Sequence, residues 1–181
     1  MTATQAAELA FQYYGIIAQV HPLPGEIDLN FHLKAPDGRE YIFKLAHPGT
    51  ELDLLNFQNA LMQHLATKAP GLQAPAVIPN QKGERITTIQ DDQNQNRYLR
   101  LLTWLPGRLW AHTNPHTPAL LTSLGRTAGT LTNALLDFDH PGGHRYLKWD
   151  ASEVPWVGDY LELFDDEDRN LLEYFLDLFQ K

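Results

Sequence analysis

Arg39-Glu-Tyr-Ile-Phe-Lys-Leu-Ala46 decides how the rest of this chain is read. Tyr41, Ile42, Phe43, Leu45 and Ala46 form a near-continuous apolar run of the kind found in strands covered on both faces, and Lys44 interrupts it. An ammonium group in such a place wants an anion. Upstream, Leu29-Asn-Phe-His-Leu-Lys-Ala-Pro36 also has strand composition, and Asp37-Gly38 between the two stretches predicts a hairpin with a type I′ turn. Downstream, Thr50-Glu-Leu-Asp53 reads as a capping box opening a helix that runs to about Lys68.

That helix carries Leu54, Leu61 and Leu65 on one stripe, with Gln58 at a position of the same stripe. A polar side chain there needs a partner, and Lys44 is the nearest candidate. Two readings stay open on these residues. In one, Lys44 anchors the phosphates of a nucleotide; in the other, it snorkels from a sheet edge while Gln58 sits at the helix flank.

Composition narrows the class. The 181 residues, 43% of them hydrophobic, suffice for one domain or slightly more with a real core. A net charge of −8 and the lack of any basic cluster argue against a nucleic-acid partner. With no cysteine in the chain, disulfides, thiol catalysis and thiolate metal sites are excluded. Met1-Thr-Ala-Thr-Gln-Ala-Ala-Glu8 has neither the basic nor the apolar region of a signal peptide, and no stretch is long enough to span a bilayer. The expectation is a cytoplasmic protein with no membrane partner.

From the amino terminus, Thr4 to Tyr14 reads as a short helix closed by Gly15 as its C-cap. Ile16 to Val20 reads as a first strand, which His21-Pro-Leu-Pro-Gly25 breaks into a loop leading to Glu26-Ile-Asp-Leu-Asn30. That loop faces the lysine across the hairpin. Its N–H groups would suit a phosphate nest, with Gly25 permitting close approach and Asp28 or Asn30 fixing the turn, or it is an ordinary connection built on Asx turns. After the helix, the prolines of Ala74-Pro-Ala-Val-Ile-Pro79 suit an edge strand, and Glu84–Gln90 with Arg97–Thr103 form a further pair joined by the polar tip 91–96. The pattern becomes irregular at Leu101-Leu-Thr-Trp-Leu-Pro-Gly107, which reads as a hinge between lobes.

Beyond the hinge the chain reads as helix. Thr117 caps a helix with Pro118 in its first position and Leu120, Leu121, Leu124, Ala128, Leu131 and Leu135 at helical spacing. Two more helical segments are expected, at about Ser152–Phe164 and Asp166–Gln180. The acidic run Asp165–Asp168 reads as a helix amino terminus favoured by the macrodipole, and Trp149 and Trp156 as helix-packing side chains.

Taken together, Gly25-Glu-Ile-Asp-Leu-Asn-Phe-His-Leu33, Asp37–Ala46, Leu101–Gly107, Leu124-Gly-Arg126 and Phe138-Asp-His-Pro141 resemble the amino-terminal part of the aminoglycoside phosphotransferase and choline kinase family. The branch they look most like is the hydroxylysine-kinase type. Hairpin, lysine on the outgoing strand and then helix is also the order in which kinase nucleotide lobes place their phosphate-binding lysine.

The resemblance implies an α+β, protein-kinase-like amino-terminal lobe at residues 1–105, an antiparallel sheet of about five strands with one internal helix, followed at 106–181 by the first helices of a helical substrate lobe. It implies ATP as cofactor, with Lys44 holding the α- and β-phosphates and the loop of Gly25, Asp28 and Asn30 covering them. Thr103, Trp104 and Leu105 would form the hinge whose backbone pairs with the adenine edge. Gln58 stands where the family offers a glutamate to the lysine, a departure from the usual ion pair.

A larger departure concerns the chemistry. Phosphoryl transfer in this family uses a His-x-Asp-x-x-x-x-Asn loop and a later aspartate, and neither occurs in this sequence. The nearest string, His144-Arg-Tyr-Leu-Lys-Trp-Asp-Ala151, has Tyr146 where the base belongs and Ala151 where the asparagine belongs, so it is a decoy. The expectation is therefore the ATP-binding portion of a small-molecule kinase acting on a hydroxyl of a small amine or amino-alcohol, ending before the catalytic loop, with magnesium needed only in the complete enzyme. The rival is a non-enzymatic, pseudokinase-like module that binds nucleotide or protein within a larger polypeptide. Relatives of this branch also occur fused to aminotransferase domains, so fusion or association with further domains is expected, as is self-association through apolar helix faces. Other constellations carry less: His140 and His144 lack a third ligand in a metal pattern, and Ser123 and Ser152 lie outside any nucleophile elbow.

Overall fold

The computed structural model describes residues 1–91, 93–147 and 150–179; Trp149 and the end of the last expected helix at Gln180 lie outside them. The chain divides into two compact units, Met1–Gly143 and His144–Lys181.

The first unit is built on an antiparallel sheet of six strands: β1 Gln19–Leu23, β2 Leu29–Lys34, β3 Glu40–Leu45, β4 Val77–Ile78, β5 Thr87–Gln90 and β6 Asn96–Thr103. The path runs β1-β2-β3-β6-β4, and β5 pairs with β6 beside β4. β3 is central, as its composition predicts, but it does not bury both faces alike. Tyr41, Phe43 and Leu45 are buried, whereas Ile42 and Lys44 are half-buried. The pleat explains this, because alternate side chains point to opposite faces.

One face is sealed by α1, Ala3–Tyr14. Ala6 and Ala10 are fully buried against Phe31, Leu33, Tyr41, Phe43, Leu45, Leu99 and Leu101. Alanines let the helix backbone approach the sheet closely, and Tyr14 meets Phe43 edge to face at 6.2 Å. Thr2 and Gln5 form the capping box of α1, and Gly15 closes it in the left-handed region at φ 67°.

The other face carries α2, Leu52–Lys68, whose buried residues are Leu55, Asn59 and Leu65. The capping box expected at Thr50–Asp53 does not form: Glu51 is the N-cap and makes no side-chain cap bond. Beyond the sheet, α3 spans Pro118–Ala134, with the Thr117 hydroxyl accepting from Leu120 N–H at 3.2 Å. Leu65, Ala69 and Ala134 form a small core where α2 meets the end of α3. Phe57 packs against Phe138, and a side chain at Gly142 or Gly143 would collide with Asp53 or Phe57. These contacts hold the end of α3 and the segment through Gly143 to α2, within the first compact unit.

Several local expectations give way to geometry. The first strand is Gln19–Leu23, not 16–20, and Pro22 lies inside it; β1 is an edge strand, where a residue without an N–H is tolerated. The hairpin is not a two-residue type I′ turn. Gly38 N–H bonds to Ala35 C=O, Ala35 N–H to Arg39 C=O, and Gly38 has φ 84°, giving a three-residue Pro36-Asp37-Gly38 connection. Pro36 presets the first turn position and Gly38 supplies the left-handed residue of a bulge.

In the second unit, Ala151–Leu163 is a run of 3-10 turns rather than an α-helix, with Pro155 inside it. A residue with no N–H breaks the i to i−4 ladder. α4, Asp166–Phe179, follows; the Asp165 carboxylate caps it, accepting from Glu167 and Asp168 N–H at 3.1 and 3.0 Å. Trp156 meets Tyr160 edge to face at 5.8 Å within this run. No helix among the described residues is long and apolar enough to cross a membrane.

Candidate functional site: a cation-lined cleft between the sheet and α2

Register builds the site. Asn30 pairs with Lys44 across β2 and β3, and Lys44 with Arg100 across β3 and β6, so the three side chains form one row on the face opposite α1. The neighbouring row is His32, Ile42 and Leu102. Both rows lie on the side that α2 covers in part, leaving a cleft of about 480 Å³. Its apolar walls are Leu23, Pro24, Ile42, Leu61, Met62 and Leu102, and its polar floor is Asn30, Lys44, Gln58 and Arg100.

Lys44 is 24% exposed, and its ammonium donates to the Asn30 amide oxygen at 2.8 Å and lies 3.3 Å from the Asp28 carboxylate. The other Asp28 oxygen accepts from His47 N–H at 3.1 Å, which ties the β1–β2 loop to the end of β3. Asn30 turns its amide nitrogen back to the Asp28 carbonyl at 3.2 Å. Any Cβ at Gly25 would run into that carbonyl and into the Asn30 amide, so the loop closes tightly only with glycine there. Gly25, Asp28, Asn30 and Lys44 are thus brought together.

Gln58 reaches the same cleft but not the same partner. Its oxygen accepts from Arg100 Nη2 at 2.5 Å, and Asn59 accepts from Arg100 Nη1 at 3.1 Å. The pairing of Gln58 with Lys44 expected from the helix stripe is therefore replaced by one with Arg100, a residue the sequence reading passed over. Arg100 was detectable by the criterion that singled out Lys44: it is a cation inside the apolar run Leu99-Arg-Leu-Leu102. Burial lowers the Arg100 pKa from the ordinary guanidinium range, while the Asp28 carboxylate and then Tyr14 favour its charged form.

The hinge residues lie past Leu102, outside the walls of the cleft. Thr103 N–H bonds to Ala76 C=O, and its hydroxyl accepts from Ala76 N–H, both at 2.9 Å. Trp104 N–H bonds to Glu40 C=O at 3.2 Å, and its ring stacks on His32 at 4.1 Å. The N–H groups of both residues are thus committed within the fold. Leu105, 39% exposed, is the first hinge residue beyond them.

Residues 19–180 match the phosphotransferase enzyme family, APH. This chain belongs to that family. The chain is 26% identical over 178 residues to hydroxylysine kinase of Danio rerio, covering 92% of itself and 49% of that protein. Two solved structures share the fold. Amicoumacin kinase hAmiN, determined with AMP-PNP, Ca²⁺ and Ami, aligns with a TM-score of 0.69 at 17% identity over 98% of this chain and 52% of its own. The microcompartment-associated aminopropanol kinase aligns with a TM-score of 0.63 at 17% identity, over 81% and 45%. The chain spans about half the length of the curated relative and of the solved structures it matches.

The residues present suit a nucleotide on physical grounds. The apolar lining suits a planar base, and the polar lining holds two cations against one ion-paired carboxylate among the described residues. Among those residues no cluster of three His, Asp or Glu side chains is placed to hold a metal ion.

Proposed function

We propose that residues 1–105 are the nucleotide-binding lobe of a small-molecule kinase and that 106–181 begin its substrate lobe. ATP is the ligand, and the acceptor is a hydroxyl on a small amine or amino-alcohol, the class suggested by the hydroxylysine and aminopropanol kinases among its relatives. The observation that carries the reading is the Lys44 ammonium, held at the cleft floor by Asn30 and Asp28 under a loop that only glycine can close at position 25.

In this reading Lys44 takes the α- and β-phosphates, and Gly25, Asp28 and Asn30 cover them. Leu105 offers its backbone to the adenine edge, since Thr103 and Trp104 have spent their N–H groups. A kinase lobe of this kind orients and neutralises the phosphates; γ-phosphoryl transfer further needs an aspartate for the acceptor hydroxyl and magnesium ligands, which the His-x-Asp-x-x-x-x-Asn pattern would supply and these 181 residues do not contain.

Thermal melting with ATP decides the matter. Wild type should melt higher as ATP is raised, and Lys44→Met should lose that rise. An undiminished rise in the variant would remove Lys44 from the assignment.

The helix faces beyond the sheet fit a second reading as well, a non-enzymatic module that works within a larger assembly. On α3, Leu121, Leu124 and Leu131 are exposed, and on α4 so are Leu171, Tyr174, Phe175 and Leu178. Apolar stripes of this kind ordinarily meet further protein, either another domain of the same polypeptide or a second copy. Sedimentation that returns a monodisperse monomer at high concentration would rule out the second copy.

A further inference from the structure

Arg100 has 3% of its surface exposed, yet what holds it is uncharged: the side-chain oxygens of Gln58 and Asn59. A carboxylate at either position would orient the guanidinium and cancel its charge. An amide orients it and leaves the charge in place. Register sets Arg100 directly across from Lys44, and like charges so placed repel unless an anion lies between them. Asp28 pairs with Lys44 and is the carboxylate whose field reaches Arg100. Two cations against one carboxylate leave this floor one positive charge in surplus.

Resting on the nucleotide reading above, we propose that Arg100 is a second electrostatic element of the phosphate subsite, its charge left uncompensated by the amides of Gln58 and Asn59, so that the cleft selects polyanionic ligands by their charge. Arg100 acts as a positioning residue. Its field drives an incoming phosphate to Lys44 in place of Asp28, while its two hydrogen bonds fix α2 against β6. The tie from sheet to helix thus runs through the strand beside the lysine, and Lys44 is left to the β1–β2 loop.

The alternative is that Arg100 is merely that tie, and Gln58→Glu read together with a pair of Arg100 variants separates the two. The variant keeps the hydrogen bond and cancels the charge. Binding of ATP, inorganic tripolyphosphate and adenosine is measured by calorimetry for wild type and variant. The expected result is a melting temperature no lower than wild type, about tenfold weaker binding of ATP and tripolyphosphate, and the smallest change for adenosine. Unchanged affinity for both anions would overturn the inference. Because Gln58 itself lines the cleft, Arg100→Lys, which keeps the charge but not the fork, is set against Arg100→Gln as well. Only the lysine variant should keep the preference for ATP over adenosine, and equal loss in both would overturn the inference.

The two proposals fail separately. ATP binding that ignores Gln58→Glu sinks the role of Arg100 and leaves the nucleotide reading. Tripolyphosphate binding that Gln58→Glu weakens, with no response to ATP, does the reverse. No response to any of the three ligands sinks both.

Discussion

The two faces of one sheet do opposite work. Against α1, the strands present Phe31, Phe43 and Leu101 in one row and Leu45 with Leu99 in another, all buried and apolar. Against α2, the same strands present Asn30, Lys44 and Arg100, then His32, Ile42 and Leu102. Shifting one residue along β3 crosses from one set to the other. Because the side-chain period of a strand is two, stability and binding can be assigned to alternate residues with little interference. The sealed face holds the strands in register, and that register is what aligns three polar side chains on the open face.

The largest effect should come from the sealed face. Phe43→Ala is expected to lower unfolding free energy by about 3–5 kcal/mol, seen as a shifted urea midpoint with little change in slope. A loss below about 1 kcal/mol would mean that α1 does not close this core. Ile42→Ala, next in the chain but on the half-buried side, should cost less than about 2 kcal/mol by the same measurement. Equal losses at 42 and 43 would erase the contrast between the faces.

Lys44→Met should change the stability of the unliganded protein by about 1 kcal/mol or less, since Lys44 and Asp28 both retain contact with water. A much larger loss would make Lys44 a structural residue.

A smaller, pH-dependent effect belongs to neither face and serves as a control. At the junction of α2 with the end of α3, Asp137 accepts from Lys68 and lies 3.1 Å from His64 Nε2. The hydrogen bond from Lys68, followed by the positive fields of Lys68 and His64, holds the Asp137 pKa below the ordinary aspartate range. A carboxyl depressed in the folded state contributes stability that is present above its unfolded pKa and lost as pH falls through the folded one. The difference in urea midpoint between wild type and Asp137→Asn should therefore shrink as pH drops below the ordinary aspartate range, and a constant difference would contradict the pairing.

How legible the sequence was varies by residue. α1 with its Gly15 cap, the Thr117 cap with Pro118 behind it, and the acidic start of α4 are local signals, because their partners lie within a few positions. The capping box at Thr50 had the right residues and failed, since the chain enters α2 one residue later with Glu51 as N-cap. The helical segment read over Ser152–Phe164 is present at Ala151–Leu163 but wound as 3-10 turns, with Pro155 inside it.

The sequence by itself determined that Lys44 is a cation in a central strand, that a hairpin precedes it and a helix follows, and that position 25 is glycine in a turn-rich loop. Tertiary structure alone decided which groups these residues meet. Asp28 and Asn30 reach Lys44 across a hairpin, and Gln58 turns to Arg100, 42 residues away in the chain. Partners so far apart are chosen by strand register and by where a helix settles on the pleat, and both follow from packing of the whole sheet rather than from the residues around any one site.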